Sequence, residues 1–110
     1  MKYKVGDVCL TYEGGKKRPV VIVNNGLGID IDVSVARVTS KSKRNQFDIE
    51  LKYWQEAGLN KPSVVRCSKI NTIPAGRELL RIGHLHPEDL MAIREAVTLY
   101  IVQGFDELDE

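Results

Sequence analysis

Apolar and polar residues alternate with period two through most of the chain and switch to a helical period in its last quarter. Val5-Gly6-Asp7-Val8-Cys9-Leu10-Thr11-Tyr12 reads as a first strand, with Val8, Leu10 and Tyr12 on one face. Glu13-Gly14-Gly15 turns the chain, and Val20 to Asn24 form a second strand. The run Asn24-Asn25-Gly26-Leu27-Gly28 is a strong turn signal. From Ile29 the alternation Ile29-Asp30-Ile31-Asp32-Val33-Ser34-Val35 predicts a half-buried antiparallel strand running on to Val38. A polar, basic loop (39–46) follows, then a short strand, Phe47 to Leu51. Tyr53 to Gly58 reads as one helical turn ended by glycine. Ser63 to Cys67 is a β-branched strand continued by Ile70 to Ile73 before Pro74, and Leu79 to Gly83 is a last short strand or bend. From Pro87, the residues Leu90, Ile93, Val97, Tyr100 and Ile101 follow the spacing of an amphipathic helix. Pro87, Glu88 and Asp89 make its N-terminus, and Gly104 is expected to end it.

The expected fold is mainly β (α+β): a small, partly open barrel of five to seven strands with a C-terminal helix over its open side. At 110 residues the chain reads as a single domain, with the barrel about 1–85, the helix about 87–103 and an acidic tail over 104–110. Cys9 and Cys67 lie far apart in apolar runs, so buried, reduced thiols are the default and a disulfide between them the minority alternative. No segment has the pattern of a secretion signal or a membrane span, which makes the cytoplasm the expected compartment and excludes a membrane partner. The net charge of +1 hides an asymmetry. Residues 1–69 carry thirteen Lys/Arg against seven Asp/Glu (+6), and residues 70–110 carry three against eight (−5). A basic front with an acidic back suits a polyanion bound on one face, and does not suit indiscriminate coating of nucleic acid.

One stretch concentrates the chemistry. Lys16-Lys17-Arg18-Pro19-Val20-Val21-Ile22-Val23 feeds a basic triplet straight into an apolar strand. Pro19 fixes its own φ and holds Arg18 extended, so the guanidinium leaves a rigid sheet in a defined direction. This segment alone also fits a hairpin with a solvated basic tip. His84 and His86 make a tempting acid–base pair, but a capping or surface role beside the helix start is the better reading. No His, Cys, Asp or Glu group has metal-ligand spacing, so neither metal nor other cofactor is expected.

The order Val5-Gly6-Asp7-Val8, Lys17-Arg18-Pro19-Val20-Val21-Ile22-Val23 and Val38-Thr39-Ser40 resembles the PemK/MazF (Kid, CcdB-like) toxin family. The likeness continues through Gly58-Leu59-Asn60-Lys61-Pro62-Ser63-Val64-Val65-Arg66, Lys69-Ile70-Asn71-Thr72-Ile73 and Ile82-Gly83-His84-Leu85, and covers essentially the whole chain. The resemblance implies an SH3-like barrel, a homodimer, and metal-independent cleavage of single-stranded RNA at short specific sequences. It implies a cognate antitoxin whose disordered acidic segment occupies the RNA groove, with DNA contacted only through the antitoxin complex. By resemblance the arginine of the R-P motif and the threonine of the T-S motif carry the chemistry, here Arg18 and Thr39, joined in some members by an arginine that falls on Arg66. Two departures stand out: Ser68 occupies the position of an aspartate proposed as base in some relatives, and the loop from Tyr12 to Lys17 is short.

RNA is cut without metal when its own 2′-OH attacks the adjacent phosphate. Arg18 suits charge neutralisation on that phosphate, because its planar fork of donors cannot lose its charge. Thr39 suits a hydrogen bond to the phosphate, against a local role bonding the backbone at a strand end. Strict alternation from Ile31 puts Thr39 on the apolar face, so a bulge or bend near Arg37–Val38 is expected to turn it outward. Arg66 either lines a groove or pairs with an acid such as Glu13. The proton acceptor stays open among Arg18, Arg66 and a 2′-OH bonded to Thr39. Lys16, Lys17, Ser40, Lys41, Lys43, Arg44 and Ser68 are the candidate RNA contacts, with a solvated loop the alternative for Lys41, Lys43 and Arg44. Tyr53 and Trp54 either stack bases or lid the core, and Leu99 and Val102 hint at a dimer or antitoxin surface. The alternative function is a non-catalytic SH3-like module that binds RNA or an acidic peptide; a gyrase-directed poison ranks third.

Overall fold

The computed structural model describes residues 2–74 and 79–107. Six strands, β1 (Asp7–Glu13), β2 (Lys16–Asn24), β3 (Val33–Thr39), β4 (Asp48–Glu50), β5 (Val64–Ile73) and β6 (Leu80–His84), precede one helix, α1 (Pro87–Asp106). They form one antiparallel sheet in the order β4-β5-β3-β2-β1-β6, left unclosed between β4 and β6. The expected partly open, mainly β architecture with a C-terminal helix is what the chain adopts.

Each face of the sheet carries its own apolar cluster. On one face, Val8, Val21, Ala36, Val38 and Val65 pack with Ile93 and Ala96 of α1 and with Leu85. Phe47 meets Tyr100 of α1 edge-on, with ring centroids 5.3 Å apart. The other face carries Cys9, Val20, Ile22, Val33, Val35 and Ile73, with Tyr3 against them. Both cysteines are free and buried, and burial pushes the Cys9 thiol up to about 11 and the Cys67 thiol up to about 12.

The single turn at 53–58 bridges towards β6. Asp89, buried in the first turn of α1, accepts the N–H groups of Lys52 (3.1 Å) and Tyr53 (2.9 Å), which ties the turn to the helix. Trp54 packs against the core as a lid, and Tyr53 stacks at 3.8 Å on His86. His86 is the helix N-cap, its Nδ1 accepting from the Glu88 N–H at 3.1 Å, in line with the capping role expected of it. Gly58 has φ +87°, and Gly83 on β6 lies against the backbone before it: a Cβ on Gly83 would collide with the Ala57 carbonyl. Gly83→Ala is therefore expected to destabilise the fold by about 1–3 kcal/mol or more, read as a lower midpoint in urea unfolding.

Several boundaries differ from the expectation. The first strand begins at Asp7, not Val5, and the second already at Lys16, not Val20, because the basic triplet pairs with the end of β1. The third strand begins at Val33, not Ile29; Ile29 and Ile31 are 90 % and 81 % exposed. Side chains of Asn24, Asn25 and Asp30 each accept a backbone N–H two residues on, and these local bonds hold a loop where alternation alone promised a ladder. The helix runs through Gly104 to Asp106, with its C-cap at Glu107. Gly104 keeps a helical conformation, costing about 1 kcal/mol without ending the helix.

Candidate active site

The hairpin joining β1 and β2 turns at Gly14 and Gly15, both at positive φ, and sets the register Thr11↔Arg18 and Glu13↔Lys16. Along β2, Val20 and Ile22 belong to the second apolar face, so Arg18, in phase with them, stands at its upper end. Along β3 the same face carries Val33 and Val35, then Arg37 and Thr39. Thr39 therefore needs no bulge in its own strand: it keeps the phase of the apolar residues, and the face itself turns from apolar to polar. The expected irregularity falls on the neighbouring strand instead. Ala36 pairs with Ile70 but Arg37 with Arg66, leaving Cys67, Ser68 and Lys69 as an insertion in β5.

Arg18, Thr39 and Arg66 line one groove of about 210 Å³, together with Arg37, Lys41 and Lys69. Arg18 and Thr39 also border a larger cleft, about 590 Å³, whose wall includes Lys17, Ser40, Lys41 and the 58–61 segment. The two residues thus form the ridge between the concavities. Lys16 is exposed opposite Glu13, and Lys43 is exposed on the 39–46 loop outside both. Ser68 is half-buried within the β5 insertion and lines neither. Arg44 is otherwise engaged: its backbone N–H (2.9 Å) and Nε (3.1 Å) both donate to Oδ2 of Asp48.

Asp48 is completely buried on β4 and stands opposite Arg66 in the β4–β5 register. Burial on its own would raise its carboxyl, but the hydrogen bonds from Arg44 and the charges of Arg44 and Arg66 hold it below the usual carboxylate range. Arg66 does not pair with Glu13; its Nε is buried without a hydrogen-bond partner. Glu13 instead bridges two other arginines, with Oε1 2.8 Å from Arg37 Nη2 and Oε2 3.8 Å from Arg18 Nε. Thr39 Oγ1 accepts the Lys41 N–H at 3.2 Å, the local bond expected of a strand-end threonine. Its own O–H stays available to donate. The local and the phosphate-facing readings of Thr39 are therefore compatible.

Glu13, Arg37 and Lys69 complete the polar end of this face, and the sequence reading left all three out of the site. Arg37 carried a signal, since it shares the phase of Thr39 two residues away. Glu13 was expected only as a possible partner of Arg66; its contacts with Arg18 and Arg37 depend on strands meeting.

The sequence signature of PemK-like, MazF-like toxins of type II toxin–antitoxin systems matches residues 7–101. The chain belongs to the PemK/MazF-like toxin family. Among solved structures of this fold, the Mycobacterium tuberculosis toxin MazF-mt6 is 27 % identical, over 86 % of this chain and 95 % of that one, with a TM-score of 0.71. The MazE–MazF complex of Deinococcus radiodurans gives 16 % identity over 90 % and 94 %, with a TM-score of 0.74. An endoribonuclease bound to its cognate antitoxin from a mycobacterial species gives 20 % identity over 87 % and 91 %, with a TM-score of 0.69. No curated protein matches the chain. The PemK/MazF-like match begins at the first residue of β1 and ends within α1, so it spans every element that builds the groove. Among the described residues no helix is long and apolar enough to cross a membrane.

Proposed function

We propose that this toxin cleaves single-stranded RNA, mRNA in the cytoplasm, at short specific sequences, by attack of the substrate's own 2′-OH and without a metal ion. The observation that carries this reading is the meeting of Arg18 and Thr39 on the ridge of a groove that also presents Arg37, Arg66, Lys41 and Lys69. The mycobacterial structure in complex with its antitoxin is of an endoribonuclease, which supports the same activity here. Arg18 and Arg66 neutralise the charge that grows on the non-bridging oxygens, and the Thr39 O–H donates to one of them. The missing aspartate at Ser68 leaves the proton acceptor to another group. Glu13, the acid beside Arg18, is the carboxylate this face supplies. The 2′-oxygen bonds to phosphorus, its proton passes to Glu13, the bond to the 5′-oxygen breaks, and that oxygen takes a proton from a water that recovers one from Glu13. The products are a 2′,3′-cyclic phosphate and a 5′-OH.

The toxin acts as a homodimer and is neutralised by a cognate antitoxin whose acidic disordered segment fills the cationic groove; DNA is reached only through that complex. MazE–MazF assemblies of the Deinococcus relative support the partner class. Met91, Leu99 and Val102, exposed along the outer side of α1, offer an apolar surface for such contacts.

Purified protein incubated with a long single-stranded RNA in EDTA is expected to give discrete fragments with 5′-OH ends. Expression without antitoxin is expected to arrest growth. Binding without cleavage would favour the non-catalytic module, and cleavage only on addition of metal would refute the mechanism.

A further inference from the structure

Next to the groove, and sharing Arg37 and Lys69 with it, lies a second concavity of about 220 Å³. Val20, Val35 and Ile73, all buried, give it an apolar floor. Thr11, Glu13, Arg37 and Asn71 give it a polar wall, with Asn71 standing opposite Val35 in the β3–β5 register. Among the described residues two side-chain polar atoms are buried with no hydrogen-bond partner: Thr11 Oγ1 and Arg66 Nε. One belongs to each of the two adjoining concavities. Native structures leave few buried polar groups unpaired, and those that persist call for a reason. Thr11 is 4 % exposed and lies directly across the β1–β2 ladder from Arg18. The orphaned hydroxyl is therefore one strand away from the arginine proposed to hold the phosphate.

We infer that this concavity is a subsite that takes one nucleobase of the RNA strand, flanking the cleaved bond, and selects its identity. The inference rests on the proposed RNA substrate and adds to it where sequence selectivity is read. The space falls below the range that encloses drug-sized molecules and suits a single ring system. An apolar floor accepts the flat face of a base. The wall offers donors from Lys69 and from the Arg37 N–H groups not given to Glu13, and both donor and acceptor from the Asn71 amide and the Thr11 hydroxyl, which is the mixed pattern that a base edge requires. A phosphate alone would be poorly served by three aliphatic side chains and a carboxylate.

The test is a matched set of oligoribonucleotides that differ only at the positions flanking the cleavage site, assayed with wild type, Thr11→Val and Asn71→Ala. Wild type is expected to prefer one base at one flanking position. Each substitution is expected to reduce that preference, the ratio of kcat/KM for the best over the next base, by ~5- to 150-fold. Preferences at the other positions should stay as they are. Thermal melts confirm that each variant is folded. Equilibrium binding of the same set is measured in parallel, so the subsite remains testable if the protein binds RNA without cutting it. An unchanged base preference in both folded variants would overturn the inference. So would an equal loss on every oligonucleotide, which marks a general role in binding or folding. Failure of wild type to cleave, with a binding preference that the variants lose, would refute the nuclease reading and leave the subsite standing.

Discussion

Arg18→Ala is expected to slow RNA cleavage by ~10²–10³-fold, the usual consequence of removing one preorganised donor from developing charge. The fold should survive. The Arg18 side chain is 49 % exposed, and its ion pair with Glu13 is long, at 3.8 Å, and open to solvent. Exposed pairs of this kind contribute about 0–1 kcal/mol, so thermal stability should barely change. Arg18→Lys separates charge from geometry: it keeps the positive charge but loses the fork that matches two phosphoryl oxygens, and should recover only part of the rate. Single-turnover cleavage under saturating enzyme, read beside a thermal melt, checks both. A fall of less than tenfold for Arg18→Ala in a folded protein would remove Arg18 from the chemistry.

Asp48→Ala should damage stability and activity together. The carboxylate is wholly buried, accepts three donors of Arg44, and faces Arg66 across the ladder. Breaking a buried ion pair by removing one partner typically costs about 3–5 kcal/mol. The lower end is expected here, because the Arg44 side chain is 38 % exposed and can rehydrate. Losing the anchor also frees the 39–46 loop and removes the carboxylate that stands across the ladder from Arg66, so cleavage should fall even where the variant is folded. The same carboxylate sets a pH dependence. Asp48 and Asp7 are both held below the usual carboxylate range in the folded chain. Burial works against this in each, and it is outweighed at Asp7 by hydrogen bonds from the Lys4 N–H, His84 and Arg81. A lowered folded value means stability that is fully present above about pH 4 and is lost as pH falls through the depressed value. Urea unfolding followed from pH 7 downwards should show this loss, and Asp48→Asn should show less of it. A pH-independent midpoint in that range would contradict the assignment.

Much of the architecture was legible because each strand had to bury something. Val20 to Val23 are apolar on both sides since both faces of the sheet carry a cluster, whereas Val64 to Cys67 give Val65 and Cys67 to one cluster and Arg66 to the groove. The stripe Leu90, Ile93 and Val97 places α1 over one of them. What misled was a pattern with two physical causes. Ile29-Asp30-Ile31-Asp32 alternates like a strand, yet its backbone is held by Asx side chains in a loop that leaves both isoleucines in water. Gly104 reads as a stop, but nothing in the structure draws it to positive φ. Arg18 and Thr39 were legible from the motifs that carry them. Glu13, the Arg44–Asp48 anchor and the Thr11 hydroxyl were not, because each acquires its meaning from a residue on another strand or loop. Asp89 is similar: its place in the helix was readable as a first-turn acid, while its bonds to Lys52 and Tyr53 arise from residues far back in the chain.

The central claim is that this groove lets RNA cut itself through its own 2′-hydroxyl. Once a cleavage site is mapped, an oligonucleotide carrying a single 2′-deoxy sugar immediately 5′ of the cleaved bond tests that claim directly. The protein is expected to bind it as tightly as the all-ribose strand and to leave it intact, in EDTA, under conditions that cleave the all-ribose strand completely. Cleavage of the deoxy-substituted strand at the same bond would contradict the account.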